Sequence, residues 1–171
     1  MTVKQQLLIV EPGAGPLVDL GGLGVQFKLG GHQTGGTLSI VEHPMEPGRM
    51  VPPHVHHDED EVSYVLEGTF GVRVGDEVGY AGPGSYVWKP RGIAHTFWNE
   101  GPAPARLLEI IQPAGFEVFF ARLGEAAVAS GSPEEFDAAR TSLAREYHQD
   151  FVPEWIEDMK ARYKVKVLGE P

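Results

Sequence analysis

A chain of 171 residues has room for one compact domain and a small appendage, and at that length a core forms without disulfide or metal. Cysteine is absent, which excludes disulfide scaffolds, thiolate metal sites and cysteine nucleophiles. Lys and Arg number 14 against 24 Asp and Glu, a formal charge of −10 spread over both halves, so nucleic acid and anionic membranes are repelled by the mean field.

The first residues, Met1 to Pro12, lack the apolar core and cleavage site of a secretory signal, and no run of about 18 apolar residues follows. A cytoplasmic protein with no membrane partner is expected. Residues 1–112 read as short β-rich runs punctuated by Gly and Pro: Leu7–Val10, Val25–Leu29, Thr37–His43, Val62–Leu66, Phe70–Val74, Ser85–Trp88, His95–Trp98 and Arg106–Ile111. Strands at this spacing predict a sandwich or barrel. After Pro113 the period changes. Phe116–Leu123 reads as a short helix over the barrel. Ser132-Pro133-Glu134-Glu135 has the form of a helix start with a capping box, and Phe136, Ala139, Leu143 and Tyr147 continue one apolar face. A further helix is predicted near Pro153, carrying Trp155, Met159 and Tyr163. Residues 113–171 are therefore read as a helical extension packed on the barrel.

The informative stretch is Pro52-Pro53-His54-Val55-His56-His57-Asp58-Glu59-Asp60-Glu61. His54 and His56 are two apart, so on a strand both imidazoles point the same way. Glu61 opens the next apolar run and can bring a carboxylate to the same height. Downstream, His95 stands in a Gly- and Pro-punctuated run that ends at Asn99. His57 is read as a rim residue, Asp58–Asp60 as a solvated bend and His148 as a surface residue. Arg73 and Lys89 are assigned to outer strand faces, while His32 and His43 fit either lumen or solvent. Strand parity sets Ser63 and Val65 with Glu61, and Phe97 with His95, as pocket walls and substrate contacts.

These residues resemble the two motifs of the cupins, G(X)5HXH(X)3–4E(X)6G and G(X)5PXG(X)2H(X)3N. The first is met by Gly48, His54, His56, Glu61 and Gly68, the second by Gly84, Pro90, Gly92, His95 and Asn99. The resemblance implies an all-β double-stranded β-helix, a jelly-roll barrel, with a metal in its lumen held by His54, His56, Glu61 and His95. Neutral imidazoles with one carboxylate suit a divalent transition metal (Fe, Mn, Ni, Co, Cu or Zn) better than Ca or Mg. It also implies a homodimer, with Leu7–Val10 either closing its own barrel or pairing with a second copy.

A single barrel followed by Gln112-Pro113-Ala114-Gly115-Phe116-Glu117-Val118-Phe119-Phe120 looks like the bacterial monocupins grouped with quercetin 2,3-dioxygenase. That resemblance implies a metal-dependent dioxygenase acting on a small phenolic or flavonol-like substrate with dioxygen as co-substrate. Glu61, as the acid among the ligands, would accept the hydroxyl proton as the catalytic residue. The alternatives are a metal-dependent isomerase, epimerase or decarboxylase of a hydroxy-acid, sugar or polyketide-like substrate, and a non-catalytic small-molecule binder.

Overall fold

The computed structural model describes residues 7–168. In chain order its first elements are β1 (Leu17–Asp19), β2 (Gly24–Leu29), α1 (Gly31–Thr34), β3 (Ser39–Met45), β4 (Arg49–Met50), β5 (His54–His56) and β6 (Asp60–Glu67). There follow β7 (Phe70–Val74), β8 (Glu77–Ala81), β9 (Tyr86–Lys89), β10 (His95–Asn99) and β11 (Ala105–Gln112). The remainder is α2 (Glu117–Ala129), α3 (Pro133–Glu146), β12 (Gln149–Phe151), α4 (Ile156–Tyr163) and β13 (Lys166–Val167).

Alternation builds the barrel. β3, β6 and β11 each bury every second side chain, the pattern of strands with one face in a core. They lie in one sheet of order β1-β2-β3-β11-β6-β9. The facing sheet centres on β10, with β7 and β8 to one side and β5 and β4 in line on the other. β12 adds beyond β5, and β13 pairs in parallel with β4. The result is the two-sheet jelly-roll expected from the sequence.

Turns fix the registers. Gly48, Gly68, Gly84 and Gly92 all have positive φ, at 67°, 78°, 86° and 75°, a region that other L-residues rarely enter. Gly71 is needed for a different reason: a Cβ there would stand 2.0 Å from the Trp98 ring.

The segment after Gln112 covers two apolar surfaces of the sandwich. Phe116, Phe119, Leu123, Leu143 and Ala144 of the α2–α3 region pack with Leu20, Val25, Val41 and Ile111. On the outer face of the second sheet, Trp98 and Met50 are sealed by Met159, Val165 and Val167, with Tyr163 tilted over the indole at 4.5 Å. Arg73, on an outer face as expected, lies 3.6 Å over the Trp155 ring.

Several details depart from the sequence reading. Leu7–Val10 forms no strand, and Leu7 is 83% exposed, because β1 takes the edge position beside β2. The segment after Gln112 is not purely helical: β12 and β13 complete the second sheet. α3 starts as predicted, with Pro133 in its first turn and Ser132 Oγ accepting from Glu135 N. The capping box is incomplete, however, since the Glu135 carboxylate accepts from Gly131 N instead. Among the described residues no helix is long and apolar enough to cross a membrane.

Candidate metal centre

The two sheets contribute opposite chemistries to the lumen. The imidazoles come from the second sheet. His54 and His56 lie two apart on β5, and His95 sits directly across from His54 on β10. The carboxylate comes from the first sheet, where Glu61 holds an inward position of β6. His54, His56, Glu61 and His95 are all buried, and one ligand atom from each lies within 4.8 Å of the others. Donors to one ion with bonds of about 2.1 Å stand no more than roughly 4.2 Å apart, so the widest separation in the cluster would have to close by about 0.6 Å or more.

Two of the three rings are aimed from behind by a backbone carbonyl. His54 Nδ1 lies 2.7 Å from the Pro52 carbonyl, and His95 Nδ1 lies 3.0 Å from that of Ile93. A carbonyl only accepts, so both rings carry the proton on Nδ1 and turn the Nε2 lone pair into the cluster. His56 Nε2 is 3.3 Å from Glu61 Oε1, and its Nδ1 faces Glu59 at 3.8 Å. His95 Nε2 is buried with no hydrogen-bond partner, although Glu61 Oε2 lies 3.3 Å away. An orphaned, inward-facing ring nitrogen is what a metal ligand looks like without its ion. The donor set and its orientation fit a borderline divalent ion.

Burial pushes the His54 imidazole well below its usual range, and repulsion from His95 and His56 adds to it; burial also lowers His95. Neutral rings are the form that binds metal. For Glu61, burial acts upward, but the Lys89 charge and the His56 and His95 contacts together hold the carboxyl well below the usual carboxylate range.

Lys89 is the main correction to the sequence reading. Assigned to an outer face, it is instead 1% exposed, opposite Glu61 in the β6–β9 register. Its Nζ is 2.9 Å from Glu61 Oε2 and 2.7 Å from Glu109 Oε2. The ion pairs reverse the expected polarity of β9: Tyr86 and Trp88 stand outside at 73% and 56% exposure. Glu109 also receives Ser63 Oγ on both oxygens, at 3.1 and 3.0 Å. Burial raises the Glu109 carboxyl to about 7, against the pull of Lys89.

Above the imidazoles lies a cavity of about 60 Å³, room for a few waters and far below the size of a typical ligand pocket. Its apolar wall includes Phe97, Phe116, Phe119, Phe120, Phe136 and Phe151. Phe116 meets the His56 ring edge-on at 4.2 Å. Of the three residues predicted as substrate contacts, Phe97 lines this cavity. Ser63 and Val65 do not: Ser63 is committed to Glu109, and Val65 packs lower in the barrel with Phe70, Val72 and Leu107. The inward count along β6 is right, but it runs down the barrel axis away from the cavity.

His43 resolves to the lumen, buried in the cavity wall with Nδ1 3.0 Å from the Gly24 carbonyl. Burial lowers it to about 4. His57 and His148 are surface residues as expected, pairing with Asp150 and Asp58. Glu59, read as part of a solvated bend, is buried behind His56. Glu109 escaped the sequence reading although it shares strand parity with Leu107 and Ile111. Arg140 and Gln149 escaped it because their place in the wall depends on how the extension folds back.

Residues 41–111 match the family model described as cupin domain. Over 80 residues the chain is 34% identical to the tetracenomycin polyketide synthase protein TcmJ of Streptomyces glaucescens, a stretch covering 47% of this chain and 52% of that protein. The match thus spans about half of either. The solved structure of KdgF from Halomonas sp. superposes with a TM-score of 0.55 at 19% identity, covering 60% of this chain and 92% of that one. An RmlC-like cupin from Shewanella frigidimarina gives a TM-score of 0.53 at 23% identity, covering 67% and 99%. At these identities the structural likeness shows a shared fold.

Proposed function

We propose that this chain, whose residues 41–111 match the cupin family model, is a cupin and a metal-dependent enzyme acting on a small phenolic, polyketide-like aromatic substrate. The observation that carries the reading is the buried cluster of His54, His56, Glu61 and His95 beneath a phenylalanine-lined cavity. Those four residues would hold a divalent transition metal, which supplies Lewis acidity toward a substrate hydroxyl oxygen and, if redox-active, dioxygen chemistry.

The chain's own residues do the rest. Phe97, Phe116, Phe119 and Phe120 exclude water and present ring faces and edges to an aromatic body. Glu61, kept ionised by Lys89, is the carboxylate placed to take the hydroxyl proton. Behind it, Lys89 Nζ and Glu109 Oε2 stand 2.7 Å apart and can share that proton within a buried network. A ring-sized substrate does not fit the cavity of about 60 Å³, so entry requires the aromatic wall or α3 to give way.

A dioxygenase of the quercetin 2,3-dioxygenase type is the first reaction in this proposal. A second reading, a non-oxidative conversion of a polyketide-like substrate, is favoured by the 34% identity to a polyketide synthase protein. Oxygen uptake with flavonols and polyhydroxylated naphthalenes separates them. The first reading expects one dioxygen consumed per turnover, and product formation under strict anaerobiosis would remove it in favour of the second. A protein that binds these compounds with no turnover under either condition is a binder instead. Self-association is part of the same proposal, with exposed Leu7 and Ile9 available to a second copy, and sedimentation reports it.

A further inference from the structure

The cavity wall opposite the barrel floor holds two polar groups that the metal chemistry leaves unused. Gln149, 5% exposed, lies directly across from His56 in the β12–β5 register, and Phe151 lies across from His54. Directly paired residues share a sheet face, so Gln149 and Phe151 stand on the imidazole side, one strand spacing of about 5 Å further out. Gln149 Oε1 is buried without a hydrogen-bond partner. Arg140, on α3, also lines the cavity, and its Nε is buried and unpartnered. The rest of its guanidinium is anchored: Nη2 is 3.0 Å from Asp137 Oδ1, and Cζ sits 5.0 Å over the Phe151 ring. Arg140, Phe136, Leu20 and Leu168 also line the cleft outside, so Arg140 stands where cavity and surface meet.

An unpaired buried donor and an unpaired buried acceptor are each costly, and native interiors rarely leave them so. Both residues line a cavity whose remaining wall away from the histidine and glutamate cluster is mostly Phe and aliphatic side chains. We propose that Arg140 and Gln149 form a recognition subsite for the outer end of an aromatic ligand, Arg140 Nε donating to an anionic oxygen (carboxylate or phenolate) and Gln149 Oε1 accepting from a neighbouring hydroxyl. The inference rests on reading the cavity as the substrate site, and it narrows the substrate class to aromatic molecules that carry oxygen at both ends. An aromatic hydrocarbon tail at the outer end would strand both groups. The subsite comes from the extension, outside the segment that matches the cupin family model.

The test measures dissociation constants by calorimetry for 6-hydroxy-2-naphthoate, its methyl ester and 2-naphthol, with metal-loaded and chelator-stripped protein. The unmodified protein is expected to bind the carboxylate at least about tenfold more tightly than the ester or 2-naphthol. Arg140→Met, which keeps the apolar stem, should weaken the carboxylate about tenfold to a hundredfold and 2-naphthol less than about twofold. Gln149→Leu should weaken the carboxylate about threefold to tenfold. The Arg140 dependence should survive removal of the metal, which separates this inference from the metal reading. It is overturned if the unmodified protein does not prefer the carboxylate, or binds none of the three compounds. Equal weakening of the carboxylate and 2-naphthol in Arg140→Met would also overturn it, by making Arg140 a packing residue. Should that variant fail to fold, the preference of the unmodified protein and the Gln149→Leu series still decide.

Discussion

In the barrel, each cluster residue stands on a strand paired with neighbours: His95 between β5 and β7, Glu61 between β11 and β9. In the segment after Gln112, contributions to the cavity come from helix faces and from a three-residue strand, β12, placed by its pairing with β5 and by packing against α3. The first region has its geometry set by sheet alternation and brings the four candidate ligands together. The second is a cover, packed through Phe116, Phe119 and Leu123, and it bounds the cavity above that cluster. Under the proposed function, chemistry and selectivity would be built from different parts of the chain, and they should fail separately.

The largest stability effect is expected where the barrel buries charge. In Lys89→Met, Glu61 and Glu109 face each other without the cation between them, and urea denaturation of chelator-treated protein should show a loss of about 3–5 kcal/mol. Adding Glu109→Gln should recover much of it. A near-neutral Lys89→Met would mean the network is solvated, and the contrast between a charge-burying barrel and an apolar cover would break.

Acid comes next. His43 titrates at about 4 in the folded chain against 6.5 unfolded. The unfolded chain therefore takes up this proton first as pH falls. The stability contribution is whole above pH 6.5 and drains toward pH 4, by roughly 3 kcal/mol. His54 and His95 are lowered for the same reason and act in the same direction. The urea midpoint of stripped protein should fall steadily over that interval, more shallowly in His43→Phe. A flat profile would contradict the buried, neutral placement.

The smallest effect sharpens the comparison from the other side. Ser132→Ala removes the oxygen that accepts from Glu135 N at the start of α3 and should cost about 1 kcal/mol. Bound metal should stay at the wild-type level. Loss of metal in this variant would tie cover and floor into one unit.

Legibility in the sequence follows the same division. His54, His56, Glu61 and His95 could be read because motif spacing and strand parity act locally, and β7 lies where Phe70–Val74 was expected. Lys89 was misplaced because a buried ion pair reverses the usual inside–outside preference, leaving Trp88 in water. Ser63 and Val65 show that facing inward is not the same as facing the cavity, a distinction set by depth along the barrel. Gln149–Phe151 carries little strand signal of its own. It becomes a strand, and Gln149 a wall residue, because β5 offers a free edge and α3 packs over it.

The most direct test is X-ray absorption, with elemental analysis, on protein purified without added metal. The account predicts about one transition-metal ion per chain, with a first shell of three imidazole nitrogens and a carboxylate oxygen, and loss of the bound ion in His95→Ala. A chain that takes up no ion stoichiometrically, or holds one with no imidazole signature, would contradict it.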